Sequence, residues 1–145
     1  MRLDDFLKKS PDAQPKRMAV AVAESEEVLE ALAEAVKLGI VEPILIGDAG
    51  KIRSLANRME LDFGTSEIVD RPDAASAAKT AVELVRSGQA KVLMKGSIVS
   101  SILMKAILNK ETGIRASNSL SIVSVIESPN LDRMLFLSDG GMIPY

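Results

Sequence analysis

The stretch KVLMKGSIVSS, residues 91–101, decides how the rest of the chain is read. It holds a short apolar run, then Lys95 and Gly96, then Ser97, Ser100 and Ser101 within five positions. The run reads as a buried strand, and the residues from 100 onward carry Ile102, Leu103, Ala106 and Ile107 at helical spacing. A strand therefore turns into a helix at a lysine, a glycine and a cluster of hydroxyls.

The same alternation runs back towards the N-terminus. KRMAVAVA, residues 16–23, is a compact apolar run that predicts a buried strand. Ser25 is placed to cap the helix that follows, with Glu26 and Glu27 in its positively polarised first turn. Val28, Leu29, Leu32 and Val36 share one face of that helix, and Gly39 is a plausible stop. PILIG, residues 43–47, predicts a second strand, and Asp48 a cap for a helix burying Ile52, Leu55 and Met59. SEIVD, residues 66–70, predicts a third strand. Pro72 and Asp73 open an alanine-rich helix over 74–87, closed by Gly88. The helix after KVLMK is expected over 100–111, with Gly113 beyond it.

Strands that alternate with helices imply right-handed βαβ units and a parallel sheet covered on both faces. The ending departs from this rhythm. SLSIVSVIES, 119–128, and DRMLFLSD, 132–139, are separated by only PNL, which suits an antiparallel hairpin. A helical turn or two is expected over residues 2–9, before the breaker SPDAQP. No repeat, low-complexity segment or interdomain linker interrupts the pattern, so residues 1–145 read as a single α/β domain.

Composition removes several chemistries. The 145 residues include no Cys and no His, so disulfides, thiolate chemistry, His-based triads and His-ligated zinc are excluded. The lack of Cys fits a cytoplasmic location. A net charge of −2, one Tyr, three Phe and no Trp argue against a nucleic-acid surface or a base-stacking platform. No apolar run approaches the roughly 20 residues that span a bilayer, so no membrane partner is expected. MRLDDFLKKS is charged and amphipathic and does not read as a secretory signal.

In an open parallel sheet, ligands sit beyond the carboxyl ends of the strands, where Lys95 and Gly96 lie. The next helix offers unpaired N–H groups and a partial positive charge. Ser97, Ser100 and Ser101 add hydroxyls, Lys95 adds a full charge, and Gly96 clears a Cβ from the approach. Together these suit a phosphate or carboxylate. The alternative is a serine that caps the helix beside a solvated lysine. The order Lys-Gly-Ser is not that of a P-loop, and no G-x-G-x-x-G follows the first strand. Lys105 and Arg115 are further candidate cations, with solvation or pairing to Glu111 as the alternative. Asp139, followed by Gly140 and Gly141, either borders a substrate or holds a tight turn.

The segment 92–142 closely resembles the phosphate acetyl/butyryltransferase family, especially its butyryltransferase branch. The matching pieces are Met94-Lys95-Gly96, Leu108-Asn109-Lys110-Glu111, Gly113-Ile114-Arg115, Asp132-Arg133 and Ser138-Asp139-Gly140-Gly141-Met142. The first 90 residues match more loosely, mainly in their strand–helix rhythm. The resemblance is to the N-terminal half of such an enzyme. It implies a three-layer α/β/α fold of the isopropylmalate dehydrogenase type, and acyl transfer between coenzyme A and inorganic phosphate. CoA would be a substrate, with no tightly bound cofactor and no metal. It also implies that Lys95, Gly96, Ser97, Ser100 and Ser101 form the phosphate-side loop, with Arg115 a phosphate-binding cation. Lys105 stands where relatives often have Arg.

Relatives continue for about as many residues again, and that part is expected to supply the far cleft wall and most catalytic groups. Three readings follow: a partial acyltransferase, a short phosphate-binding module, or an interaction subunit completed by a second chain. The first reading predicts an exposed apolar face, because its packing partner is absent, which a homo-oligomer would cover.

Overall fold

A computed structural model of the chain describes residues 14–116, 121–128, 130 and 133–138. The predicted helix over 2–9, Asp132, and the segment from Asp139 to Tyr145 lie outside these residues. The chain divides into two compact units, one spanning Gln14–Arg115 and the other holding the C-terminal hairpin. No helix among the described residues is long and apolar enough to cross a membrane.

The larger unit runs β1 (Lys16–Ala21), α1 (Glu26–Lys37), β2 (Val41–Gly47), α2 (Ala49–Arg58), β3 (Glu67–Asp70), α3 (Ala74–Arg86), β4 (Val92–Lys95) and α4 (Ser100–Ile107). The smaller unit is β5 (Val123–Glu127) paired antiparallel with β6 (Met134–Ser138), as the short link predicts. The four strands of the larger unit are all parallel, in the order β3-β2-β1-β4.

That order follows from alternating burial and fixed handedness. Along β1, Ala19 and Ala21 pack with Ala77, Ala78, Ala81 and Leu103 of α3 and α4. Val20 faces the other way and packs with Leu29, Leu32 and Ile52 of α1 and α2. Two cores thus lie on opposite faces, and the architecture is three-layer α/β/α. From β1 to β3 the chain steps outward in one direction; to reach β4 it returns across β1. With right-handed crossovers, a reversal of direction moves the connecting helix to the opposite face. The point of reversal lies between β1 and β4, the position beyond whose strand ends open α/β sheets generally bind ligands.

Among the boundaries that differ from expectation are two on elements that frame the β4–α4 turn. β1 ends at Ala21, not residue 23, because Val22 adopts φ 62°, outside the extended region. The last helix ends at Ile107, not 111, because the Asn109 side chain takes over the next amides. Its Oδ1 accepts from the N–H groups of Glu111 and Thr112, each at 2.9 Å.

Candidate functional site

The site is built where β1 and β4 end side by side, with Ala21 in register with Lys95. Val22 turns left-handed there, a conformation that costs an L-residue about 1–2 kcal/mol. The turn aims its carbonyl at β4's outgoing chain. The Ser97 N–H donates to Val22 O at 2.7 Å, and the Gly96 N–H donates to Ala21 O at 3.0 Å. A Cβ on Gly96 would collide with the Val22 carbonyl oxygen. Gly96 is therefore required by the close approach of β1, a reason distinct from clearing space for a ligand. The amides of Gly96 and Ser97 are also already engaged.

The open donors lie one step further on. Ile98 turns inward and is buried, whereas Val99, Ser100 and Ser101 are exposed. Val99 is the N-cap of α4 and supplies no side-chain hydrogen bond. The other three helices are all capped. Ser25 Oγ accepts from Val28 N, Asp48 Oδ1 from Lys51 N at 3.0 Å, and Asp73 Oδ2 from Ser76 N at 2.8 Å. No serine caps α4, so the capping half of the alternative for the turn does not hold, while its exposed lysine does. Lys95 is exposed beside it and has no ion pair among the described residues.

The neighbouring helix start has the opposite character. At α2 the Asp48 N–H donates to Glu24 Oε1 at 3.3 Å, and the Ala49 N–H to Asp70 Oδ1 at 3.1 Å. With Asp48 itself, three carboxylates occupy this end. The Lys51 backbone N–H holds the Asp48 carboxyl below its usual range, with a smaller contribution from the Lys51 charge. Glu24 reaches over Gly47, where a Cβ would meet its Oε2, and that oxygen is buried without a partner. The α2 start thus carries carboxylates, whereas the α4 start carries an exposed lysine and serines. Sequence reasoning missed both Val22 and Glu24; a valine in an apolar run carries no sign of a left-handed backbone.

The structure brings Lys95, Gly96, Ser97, Ser100 and Ser101 into one continuous turn. Lys105 lies in the last turn of α4, exposed, on the same face as Ser101 four residues earlier. Beyond it the chain knits back on itself: Gly113 N donates to Asn109 O at 3.0 Å, and Ile114 N to Ile107 O at 3.1 Å. This sets the Arg115 backbone at the carboxyl end of α4, about 12 Å of helix from Ser100. Asp139 lies outside the described residues. A pocket of about 380 Å³ is lined by residues of α3, α4 and their flanks, and by none of these candidates.

Comparison with known proteins agrees with this architecture. A family model described as phosphate acetyl/butaryl transferase matches residues 3–79, the part whose resemblance is looser by motif. Phosphate butyryltransferase of Clostridium acetobutylicum is 41% identical over 136 residues, covering 94% of this chain and 45% of that protein. A probable phosphate butyryltransferase of Bacillus subtilis is 37% identical over 98% of this chain and 47% of its own length. The chain thus spans about half the length of the curated relatives it matches. A branched-chain phosphotransacylase from Enterococcus faecalis superposes with a TM-score of 0.71 at 26% identity, over 88% of this chain and 44% of that one. A phosphotransacetylase from Streptococcus pyogenes shares the fold, with a TM-score of 0.74 at 15% identity over 94% of this chain and 51% of that one. With sequence match and sheet topology in agreement, the chain belongs to the phosphate acetyl/butaryl transferase family.

Proposed function

We propose that this chain carries the phosphate-binding wall of an enzyme that moves a short acyl group, such as acetyl or butyryl, between coenzyme A and inorganic phosphate. The supporting observation is the uncapped, exposed start of α4 beside Lys95, which has no ion pair among the described residues, in a chain of this family.

A phosphate oxygen attacks the thioester carbonyl, the C–S bond breaks, and the products are acyl phosphate and CoA thiol. The phosphate's charge is met by Lys95 and by the Ser100 and Ser101 amides at the start of α4, with the hydroxyls of Ser97, Ser100 and Ser101 as further donors. Gly96 holds the turn against β1. Lys105 and Arg115 are proposed to meet the remaining charge of the substrates, and Asp139 to border them. Donors placed where negative charge develops stabilise the tetrahedral intermediate more than the ground state. Two substrates must also be enclosed and aligned, which requires a second wall. The principal catalytic groups are assigned to that wall.

CoA and its acyl ester are substrates, and no tightly bound cofactor is invoked. A cytoplasmic setting and a homo-oligomer complete the reading, with no nucleic-acid or membrane partner. A second reading, a phosphate-binding module without catalysis, rests on the same uncapped start of α4. The hairpin's exposed Val123 and Phe136, 63% and 61% accessible, favour a further reading in which a second chain completes the protein.

The test is phosphate-dependent release of free thiol from butyryl-CoA, measured on this chain alone and fused to the remaining part of a full-length relative. A folded but inactive fusion sinks the enzymatic reading. Phosphate binding by the inactive chain alone, lost in Lys95→Ala, identifies the module. A stable complex with a separate chain, with no activity in either chain alone, identifies the interaction subunit.

A further inference from the structure

The molecule carries a concave site away from the β4–α4 turn. It is the pocket of about 380 Å³ where the β3–α3 connection, α3, α4 and the turn after α4 meet. Small-ligand pockets run from about 300 to 1,000 Å³, so this one fits a small molecule. The covered part of its lining includes Val82, buried, and Ala106, half-buried. The exposed part carries Arg71, Lys79, Glu83 and Thr112, with Thr80 and Leu84 half-buried.

The pairing of charges here points to an anion. Glu83 follows Lys79 by four residues, the spacing at which a helical ion pair forms. Its carboxylate instead accepts from Arg86 Nη1 at 3.3 Å. Lys79 is left with no hydrogen bond or ion pair among the described residues. Arg71 is tethered: its N–H donates to Gly47 O at 2.7 Å, and its Nη1 to Asp70 O at 2.7 Å. The other donors of its guanidinium remain available. Thr112 is fixed through its amide on Asn109 Oδ1 at 2.9 Å.

We propose that this pocket binds a small organic phosphate monoester, with its dianion between Arg71 and Lys79 and its apolar body against Val82 and Ala106. Arg71 and Lys79 meet the two charges of a monoester dianion, the lining carboxylate of Glu83 being engaged by Arg86, and the hydroxyls of Thr80 and Thr112 supply further donors. The apolar wall favours an ester over free phosphate. This site is independent of the acyl-transfer reading, because none of its residues lies in the β4–α4 turn.

Phenyl phosphate is the probe. Titrated into the isotopically labelled chain, it is expected to shift the Thr80 and Thr112 amide resonances saturably. Lys79→Gln and Arg71→Gln are each expected to weaken that response about tenfold, as for one lost charge-assisted bond. If Arg71→Gln disturbs the fold, Lys79→Gln, on an exposed helix position, decides alone. Lys95→Ala should keep the Thr80 and Thr112 response. No saturable shift at these amides overturns the proposal. So does an equal response to phenol, or equal affinity for inorganic phosphate. A response confined to Ser97–Ser101 overturns it as well, while supporting the turn as the anion site.

Discussion

Val22 and Gly96 act as a matched pair of residues. One holds a left-handed backbone that directs its carbonyl across the sheet, and the other lacks the Cβ that would meet it. Gly96→Ala places a methyl against backbone carbonyls that cannot swing aside. It should destabilise the fold by about 1–3 kcal/mol, read as a lower urea midpoint, and weaken phosphate binding together with stability. Lys95→Ala is the contrasting case. The side chain is exposed and unpaired, so the urea midpoint should hold while phosphate affinity, by calorimetry, falls about tenfold. Loss of stability with unchanged affinity would remove Lys95 from the site. At this scale the sequence is a partial guide. That residue 96 must be glycine was legible; that a neighbouring strand demands it was not, since Val22 is a strand-forming residue caught in an unusual backbone.

The elements were more legible, because caps are local chemistry. Ser25, Asp48 and Asp73 are read from the residue before each helix, and each accepts the hydrogen bond expected of it. The α4 start was the ambiguous one, with three serines competing for the cap and Val99 in that position. Boundaries that depend on a contest between side chain and backbone were less legible, as where Asn109 ends α4. β2 also starts earlier than expected, at Val41, and passes through Pro43. It can do so because β3 begins opposite Ile44, leaving only β1 beside the proline. Val99→Asp tests the proposed use of the open helix start. A capping carboxylate should stabilise the chain by about 0.5–2 kcal/mol while placing a negative charge in the anion site, so the melting temperature rises as phosphate affinity falls. A rise in both would sink the phosphate assignment at this turn. The starts of α2 and α1 supply a pH dependence. The Asp48 carboxyl is held below its ordinary range by the Lys51 amide, and the Ser25 hydroxyl does the same for Glu27. A depressed folded pKa gives stability that is present above the unfolded value, about 4, and is lost as pH falls through the folded one. Asp48→Asn should therefore lower stability at neutral pH and flatten its loss below about pH 4, seen in thermal melts across that range.

For the whole molecule, strand alternation implied a parallel sheet with helices on both faces, but not the strand order. No local signal states that the chain passes back over β1 before laying down β4; that is a property of which faces remain uncovered. The two faces are also built differently. The α1/α2 side is closed by Leu29, Leu32 and Ile52, whereas α3 meets the sheet through Ala77, Ala78 and Ala81, each fully buried. Small residues bring α3 close to β1, and α4 packs in the same cluster through Leu103. The position of the candidate anion site therefore depends on alanines in a helix that contributes no group to it. Ala81→Leu forces three extra carbons into that contact and should cost about 1–3 kcal/mol. Leu32→Ala, on the opposite face, should cost about 2–5 kcal/mol. If α4 is positioned through the alanine contact, phosphate affinity at a temperature where both variants are folded should fall in Ala81→Leu and hold in Leu32→Ala, although the second is the less stable protein. Affinities that instead follow the order of stability would show that the turn depends on the global fold and not on the α3 face.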